Sequence, residues 1–251
     1  MSRKFLRSYK EAYDYSYTSG AYATIEMIKV KPDIVRAVYI HSRYAGKKDI
    51  DALCRTMGIP MLHDDRAFER INQKENSYVL GVFSKYFCEL MPNRPHIVMV
   101  NPSDMGNLGT VIRTMAGLNM LDLAVVTPAA DILHPKTIRA SMGALFHIRF
   151  QCFSSFDAYK DAFPDHVYFP FTPEGKIPLS RDNCPHAPLF SLLFGNEAAG
   201  LPVQCKTAGT GVKIPQSALV DSLNLSIAAG IGMFIFADKH PDSGSNREIQ
   251  R

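Results

Sequence analysis

A chain of 251 residues, 46% hydrophobic and 21% charged, has the composition of a folded protein and the length for one large domain or two ordinary ones. Its net charge of +4 is uneven, with 16 basic and 11 acidic residues in 1–95 and 12 and 13 in the rest; an RNA-facing module ahead of a near-neutral catalytic one would look like this, as would a solvated basic surface. Five cysteines, odd in number and without a C-x-x-C pair, and eight histidines without paired spacing argue against a disulfide framework or a zinc site, so reduced thiols and no metal are expected.

In chain order, residues 5–17 and 20–28 carry apolar positions spaced by three and four and are predicted helices. Residues 36–40 (RAVYI) are a predicted strand, 49–57 a helix stopped by Gly58, and 60–62 a short strand. A helix at 67–73 and a strand at 78–83 (YVLGVF) complete the series. This alternation predicts a small α/β domain over residues 1–90, followed by a linker, LMPNRP, at 90–95. A second series has strands at 96–100 (HIVMV), 121–126, 148–153, 167–171, 188–194 and 212–214. Its helices are at 107–118, 135–146, 155–163 and 222–236. Strands separated by helices predict a mostly parallel sheet covered on both faces, in a second α/β domain over residues 96–240. The polar stretch from residue 238 is predicted to be disordered, with 241–251 a flexible tail. The longest mainly apolar run, 225–237, is too short to span a bilayer, and the N-terminus MSRKFLRSYK opens no signal-type segment. A cytoplasmic protein with no membrane association is therefore expected.

Three stretches carry chemistry. The first, NPSDMGNLGTVIR at 101–113, joins a strand to a helix; Gly106 and Gly109 permit a tight turn near a helix N-terminus, which suits anions or polar ligand groups. It has neither G-x-G-x-x-G nor G-K-[ST], so it matches a dinucleotide loop or P-loop poorly. Its candidates are Asn107 and Arg113. Six positions apart, they need not share a helix face, and an arginine in an otherwise apolar helix needs a partner, an ion pair or a ligand. The second, LFGNEAAGL at 193–201, ends a buried-type strand at Gly195. Glu197 then stands where open α/β sheets bind ligands, or else caps a helical turn. The third is VKIPQSALVDSLNLSIAAGIGMFIF at 212–236. Its strand end at Ile214 offers main-chain groups, and Ser222, Leu223 and Asn224 stand at a helix mouth as caps or ligand contacts. The helix then carries Ala228, Ala229, Gly230 and Gly232. Each glycine costs on the order of 1 kcal/mol against alanine, so close packing along that face is expected.

The order Asn107…Arg113, then FGNEAAGL, then IP…SLN resembles the three motifs of the SpoU (TrmH-type) RNA ribose 2′-O-methyltransferases of the SPOUT superfamily. IRASMGALF at 138–146 is similar to that family's Arg-Ala-Ser-x-Gly-Ala segment. The resemblance spans about residues 96–237, and the N-terminal region is similar to the ribosomal-protein-L30-like substrate-binding domain that often precedes it. It implies a parallel α/β domain whose C-terminal segment forms a deep trefoil knot, a topology very rare among folds. It further implies S-adenosylmethionine bound in the knot and a homodimer with the active site at the subunit interface. By motif position, Gly195, Ile214 and Leu223 would hold the cofactor with their main chain. Asn107, Arg113, Glu197, Ser222 and Asn224 would form the catalytic set. Two departures concern the loops: Met105 stands where the family's Asp-Pro-x-Asn has proline, with Asn101-Pro102 three residues earlier, and Gln216 and Ala218 replace the usual Met and Gly after Ile-Pro.

What the resemblance implies is an S-adenosylmethionine-dependent RNA 2′-O-ribose methyltransferase, with ribosomal RNA favoured over transfer RNA. The rival readings are a transfer-RNA enzyme, a related knotted enzyme that methylates a base instead of ribose, and a non-catalytic RNA-binding factor of the same fold. Family precedent makes Arg113 the group that takes the 2′-hydroxyl proton, yet a guanidinium keeps its own proton to pH values above about 12. Arg113 as a phosphate-positioning group is the alternative. The reading requires Asn107, Glu197 and Asn224 to gather around one reacting carbon.

Overall fold

The structure, a computed structural model, describes residues 6–71 and 77–240. Its first elements are β1 (Tyr15–Ser19), α1 (Ala21–Val30), β2 (Val35–Ile40), α2 (Lys47–Thr56), β3 (Met61–His63), α3 (Asp65–Arg70) and β4 (Val79–Ser84). There follow β5 (His96–Val100), α4 (Met105–Gly117), β6 (Asp122–Val126), α5 (Pro135–Ala140), β7 (Arg149–Phe153), α6 (Phe156–Ala162) and β8 (Val167–Pro170). The chain continues through β9 (Ile177–Pro178), β10 (Phe190–Phe194), α7 (Val203–Lys206), β11 (Val212–Lys213) and α8 (Leu225–Lys239). Two compact units emerge: Met1–Tyr86 with Asp131–His147, and Phe87–Ala130 with Ile148–Arg251.

The first unit is built on a four-stranded sheet in the order β1-β4-β2-β3, with β4 antiparallel to both neighbours and β2 parallel to β3. One face buries Leu6, Tyr17, Ala67, Phe68, Ile71, Leu80 and Val82. The helix predicted at 5–17 is not formed by its described residues, because Tyr15 to Ser19 form a strand paired to β4. Alternating tyrosines at 13, 15 and 17 suit a pleated edge, and Tyr13 stacks on Tyr15 at 5.2 Å. Part of the predicted 67–73 helix, residues 72 and 73, lies outside the described residues, as does the predicted tail from 241. Asp238 and Lys239, predicted disordered, instead end α8, with Asp238 paired to Arg181.

Residues 131–147, read from the sequence as part of the second domain, belong to this first unit. Tyr9 donates its hydroxyl to the Asp131 carboxylate, and the Ser16 hydroxyl donates to the Leu133 carbonyl at 2.6 Å. The single helix predicted over 135–146 is broken. It ends at Ala140, Met142 and Gly143 take φ of 53° and 84°, and a 3-10 turn follows at Ala144–His147. A Cβ at Gly143 would stand 3.1 Å from the Ala23 Cα on α1, so this turn needs both a left-handed φ and a bare backbone.

The second unit carries a five-stranded parallel sheet in the order β7-β6-β5-β10-β8. Every residue of β5, β6 and β10 is buried, which is why these strands read as continuous apolar runs. The chain runs from β5 outward to β7, then returns through β8 on the opposite edge and inserts β10 beside β5. The boundary between β5 and β10 is therefore a topological switch point. α8 packs on α4, while the short parallel pair β9–β11 adjoins the end of β8 through a Phe171–Val212 bridge.

Candidate functional site

Two loops leave the C-terminal ends of β5 and β10 and meet at the switch point. After β5 the turn is made by Asn101, at φ 54°, followed by Pro102, and Asn101 Nδ2 donates to the Pro128 carbonyl at 3.2 Å. Asp104 caps α4, its carboxylate accepting the Asn107 backbone N–H at 2.7 Å. Met105 is thus the first helical residue, where a proline would be tolerated but is not needed, because the cap already fixes the helix start. After β10, the Asn196 side chain donates to the Asn101 carbonyl at 2.8 Å and accepts the Ala198 and Ala199 amides at 2.9 and 3.0 Å. A Cβ on Gly195 would overlap the Gly200–Leu201 peptide, so only glycine lets this loop close.

The closed loop delivers Glu197 to four donors from the β5 loop and the first turn of α4. Its Oε2 accepts the Ser103 amide at 3.0 Å and the Ser103 hydroxyl at 2.7 Å. Its Oε1 accepts the Asp104 amide at 3.1 Å and Asn107 Nδ2 at 3.2 Å. Burial alone would raise the Glu197 carboxyl, but these donors outweigh it and hold it down at about 2. Asn107 Oδ1 in turn accepts Asn224 Nδ2 at 3.0 Å, and Asn224 Oδ1 accepts the Ser226 amide at 2.9 Å, capping α8. Glu197, Asn107 and Asn224 thus form one hydrogen-bonded chain across residues 117 positions apart.

The carboxylate also dictates which way the amides point. Because Glu197 can only accept, Asn107 must offer its nitrogen there and its oxygen to Asn224. One N–H of each asparagine is left over.

Beside this chain lies a cavity of about 290 Å³, lined among others by Phe171, Phe194, Gly195, Glu197, Ile214 and Leu223. Gly195, Ile214 and Leu223 therefore share one cavity, and Ser222 lines it too. α8 begins one residue past Asn224, so Ser222 lies on the preceding loop, not on the helix as predicted; among the described residues it makes no hydrogen bond. Arg113 is not part of this cluster. It is exposed on α4 and, among the described residues, has neither a hydrogen bond nor an ion pair. Sequence reasoning passed over Ser103, Asp104 and Asn196. Asp104, three residues before Asn107, carries an N-cap signature, whereas Ser103 has no signal beyond being a loop serine. Also missed were Thr172, Glu174 and Lys206 on the cavity wall. Among the described residues no helix is long and apolar enough to cross a membrane, and no group of three or more His, Cys, Asp or Glu is placed to hold a metal.

The model of the SpoU rRNA methylase family matches residues 94–234. The chain is 27% identical over 219 residues to the 23S rRNA (guanosine(2553)-2′-O)-methyltransferase RlmP of Bacillus subtilis, covering 84% of each chain. It is 29% identical over 140 residues to the ribosomal RNA small subunit methyltransferase G 2 of Syntrophobacter fumaroxidans. That match takes in 56% of this chain but spans only 26% of the relative's length. Among solved structures, an AdoMet-bound rRNA methyltransferase from Sinorhizobium meliloti superposes with a TM-score of 0.76 at 24% identity, over 90% of this chain and 88% of that one. The last likeness fixes the fold.

Proposed function

Because the chain belongs to the SpoU rRNA methylase family, we propose that it transfers a methyl group from S-adenosylmethionine to the 2′-oxygen of a ribose in ribosomal RNA. The observation that carries this reading is the Glu197–Asn107–Asn224 chain bordering the cavity at the switch point. The B. subtilis relative, named for 2′-O methylation of 23S rRNA, supports ribose over base and ribosomal over transfer RNA.

The cavity suits the cofactor. Phe171, Phe194, Ile214 and Leu223 offer apolar contact for a nucleoside, while Glu197 is anionic; the one cationic lining residue, Lys206, is 3.5 Å from Glu174. S-adenosylmethionine supplies a methyl group on a positively charged sulfur. The main chain at Gly195, Ile214 and Leu223 holds it, with Ser222 at the cavity edge. The remaining amide hydrogens of Asn107 and Asn224 are free to donate to a ribose hydroxyl and to the negative charge that develops on its oxygen as the methyl group arrives and the hydroxyl proton leaves to solvent water. Glu197 is a poor base, because four donors occupy it and its carboxyl is held at about 2. Its work is to fix the two amides.

Arg113, exposed and without a partner among the described residues, anchors an RNA phosphate by charge-assisted bonds. It does so at the interface of a homodimer formed through this domain. Exposed Ile227 and Phe234, 54% and 62% accessible on α8, support such a face. The tight Gly195 loop is consistent with the knot the family resemblance implies. The first unit holds RNA as the L30-like module would, with the partly exposed stack of Tyr13 and Tyr15 beside the Arg36–Asp14 pair as an aromatic surface. Such an enzyme meets its substrate in the cytoplasm.

The test is Arg113→Ala. Turnover on ribosomal RNA should fall at least about 100-fold, while calorimetric binding of S-adenosylhomocysteine stays within about threefold. Retained turnover would refute the role of Arg113. A wild-type chain that binds RNA but not the cofactor would instead be the non-catalytic factor.

A further inference from the structure

Two carboxylates line the cavity, and they differ in what they have left to offer. Both oxygens of Glu197 are taken, with two donors on each. Among the described residues, the contacts that Glu174 makes with other side chains fall on one oxygen: Oε2 accepts the Thr172 hydroxyl at 2.7 Å and lies 3.5 Å from Lys206 Nζ. Among the described residues no other side chain donates to Oε1. The turn that carries Glu174 is fixed from below. The Thr172 amide donates to the Val212 carbonyl at 2.9 Å, and the Glu174 amide donates to Thr172 Oγ1 at 3.1 Å. This turn follows β8, which flanks β10 on the side away from β5, so Glu174 stands across β10 from the Asn107 end of the site.

We infer that Glu174 grips the ribose diol of the cofactor's nucleoside through its open oxygen, with Thr172 and Lys206 holding the carboxylate in place. The inference rests on the reading of this cavity as the S-adenosylmethionine site. A carboxylate with spare acceptor capacity beyond the C-terminal end of a parallel strand is a general solution for binding vicinal hydroxyls. The cofactor's ammonium group is the other donor it could take. Lys206, already beside the same carboxylate, repels a second cation there but not a neutral diol. Thr172 and the Glu174 backbone amide, outweighing the slight burial, together with Lys206 keep the carboxyl below its ordinary value and therefore ionised.

Three ligands separate the contacts by titration calorimetry. S-adenosylhomocysteine has both diol and amino-acid tail, 5′-methylthioadenosine keeps only the diol, and its 2′,3′-dideoxy analogue has neither. Glu174→Gln should weaken the first two alike, roughly tenfold for one lost charge-assisted contact. The dideoxy analogue should bind wild type and variant equally. Wild type itself should lose roughly tenfold on removal of the diol, a comparison that needs no variant. A wild-type protein indifferent to the diol overturns the inference, as does a variant that loses affinity only for S-adenosylhomocysteine, which would put Glu174 on the amino-acid tail. A wild-type protein that binds none of the three refutes the cofactor reading itself.

Discussion

Glu197 is a switchboard for two amides, and replacing it by glutamine tests that directly. A glutamine has one accepting oxygen, so its NH2 must face either the two Ser103 donors or the Asp104 amide and Asn107. In the second case Asn107 is forced to turn over, and its nitrogen then meets the nitrogen of Asn224. Glu197→Gln should therefore lower the single-turnover rate by about 10²–10³, the scale of losing a transition-state donor, with little change in cofactor affinity. Ser103→Ala removes one donor of four and keeps every amide orientation, so a loss below about tenfold is expected in the same assay. Ordinary carboxyls titrate near 4.5, whereas Glu197 is held at about 2. Its stabilising contribution is therefore present above about 4.5 and is lost only as the pH falls from there towards 2. Much of this was legible in the sequence, because Glu197 sits in a loop at a strand end and Asn107 in the first turn of the helix that follows β5, where a polar residue needs a reason. Ser103 was not legible, since a serine between Pro102 and Asp104 is what any turn would carry.

At the level of elements, the all-buried runs of β5 and β10 were readable because a central parallel strand needs nothing but apolar residues. The break at Met142 and Gly143 was not, because it answers to α1, more than a hundred residues earlier in the chain. The glycines of α8 show the same limit. Both were expected to be compensated by close packing, but a Cβ on Gly232 would come within 2.6 Å of the Phe171 ring, while one on Gly230 would meet only the Thr114 methyl at 3.8 Å. Packing within the chain accounts for Gly232 alone. Gly230→Ala should therefore stabilise α8 by about 0.5–1 kcal/mol in chemical denaturation, and Gly232→Ala should destabilise it by about 1–3 kcal/mol. If Gly230→Ala destabilises instead, and more so at high protein concentration, a neighbouring subunit must approach that glycine.

Across the whole of the second unit, the sheet does different work at its two ends. Its C-terminal end holds the Glu197–Asn107–Asn224 cluster, and its N-terminal end holds a buried polar network beneath the 90–95 segment. His96 Nδ1 meets the Tyr159 hydroxyl at 2.9 Å, Tyr159 meets Ser191 at 2.6 Å, and Ser191 meets His166 Nδ1 at 2.7 Å. The far ring nitrogens contact the carbonyls of Met91 and Pro92 at 3.0 and 3.2 Å, so the segment expected to be a linker is pinned to the sheet. The Asp122–Arg149 pair stands alongside, and Asp122 also accepts the Met91 amide at 3.0 Å. Burial, and then the nearness of His166, push His96 down to about 4; burial likewise lowers His166. Both rings are neutral in the folded protein at pH 7. Above about 6.5, where an unfolded histidine is also neutral, the network costs nothing in protonation; as the pH falls from there to about 4 the unfolded chain takes up protons that the folded one refuses. His96 alone then removes about 3 kcal/mol over that window. Because Glu197 stays ionised throughout the same window, stability should fall there without any change in the charge of that carboxylate. Urea midpoints at pH 7 and pH 5 should differ accordingly, and an NMR titration should find the His96 ring still neutral at pH 5. A His96 midpoint near 6.5 would mean that the N-terminal end of the sheet is open to water.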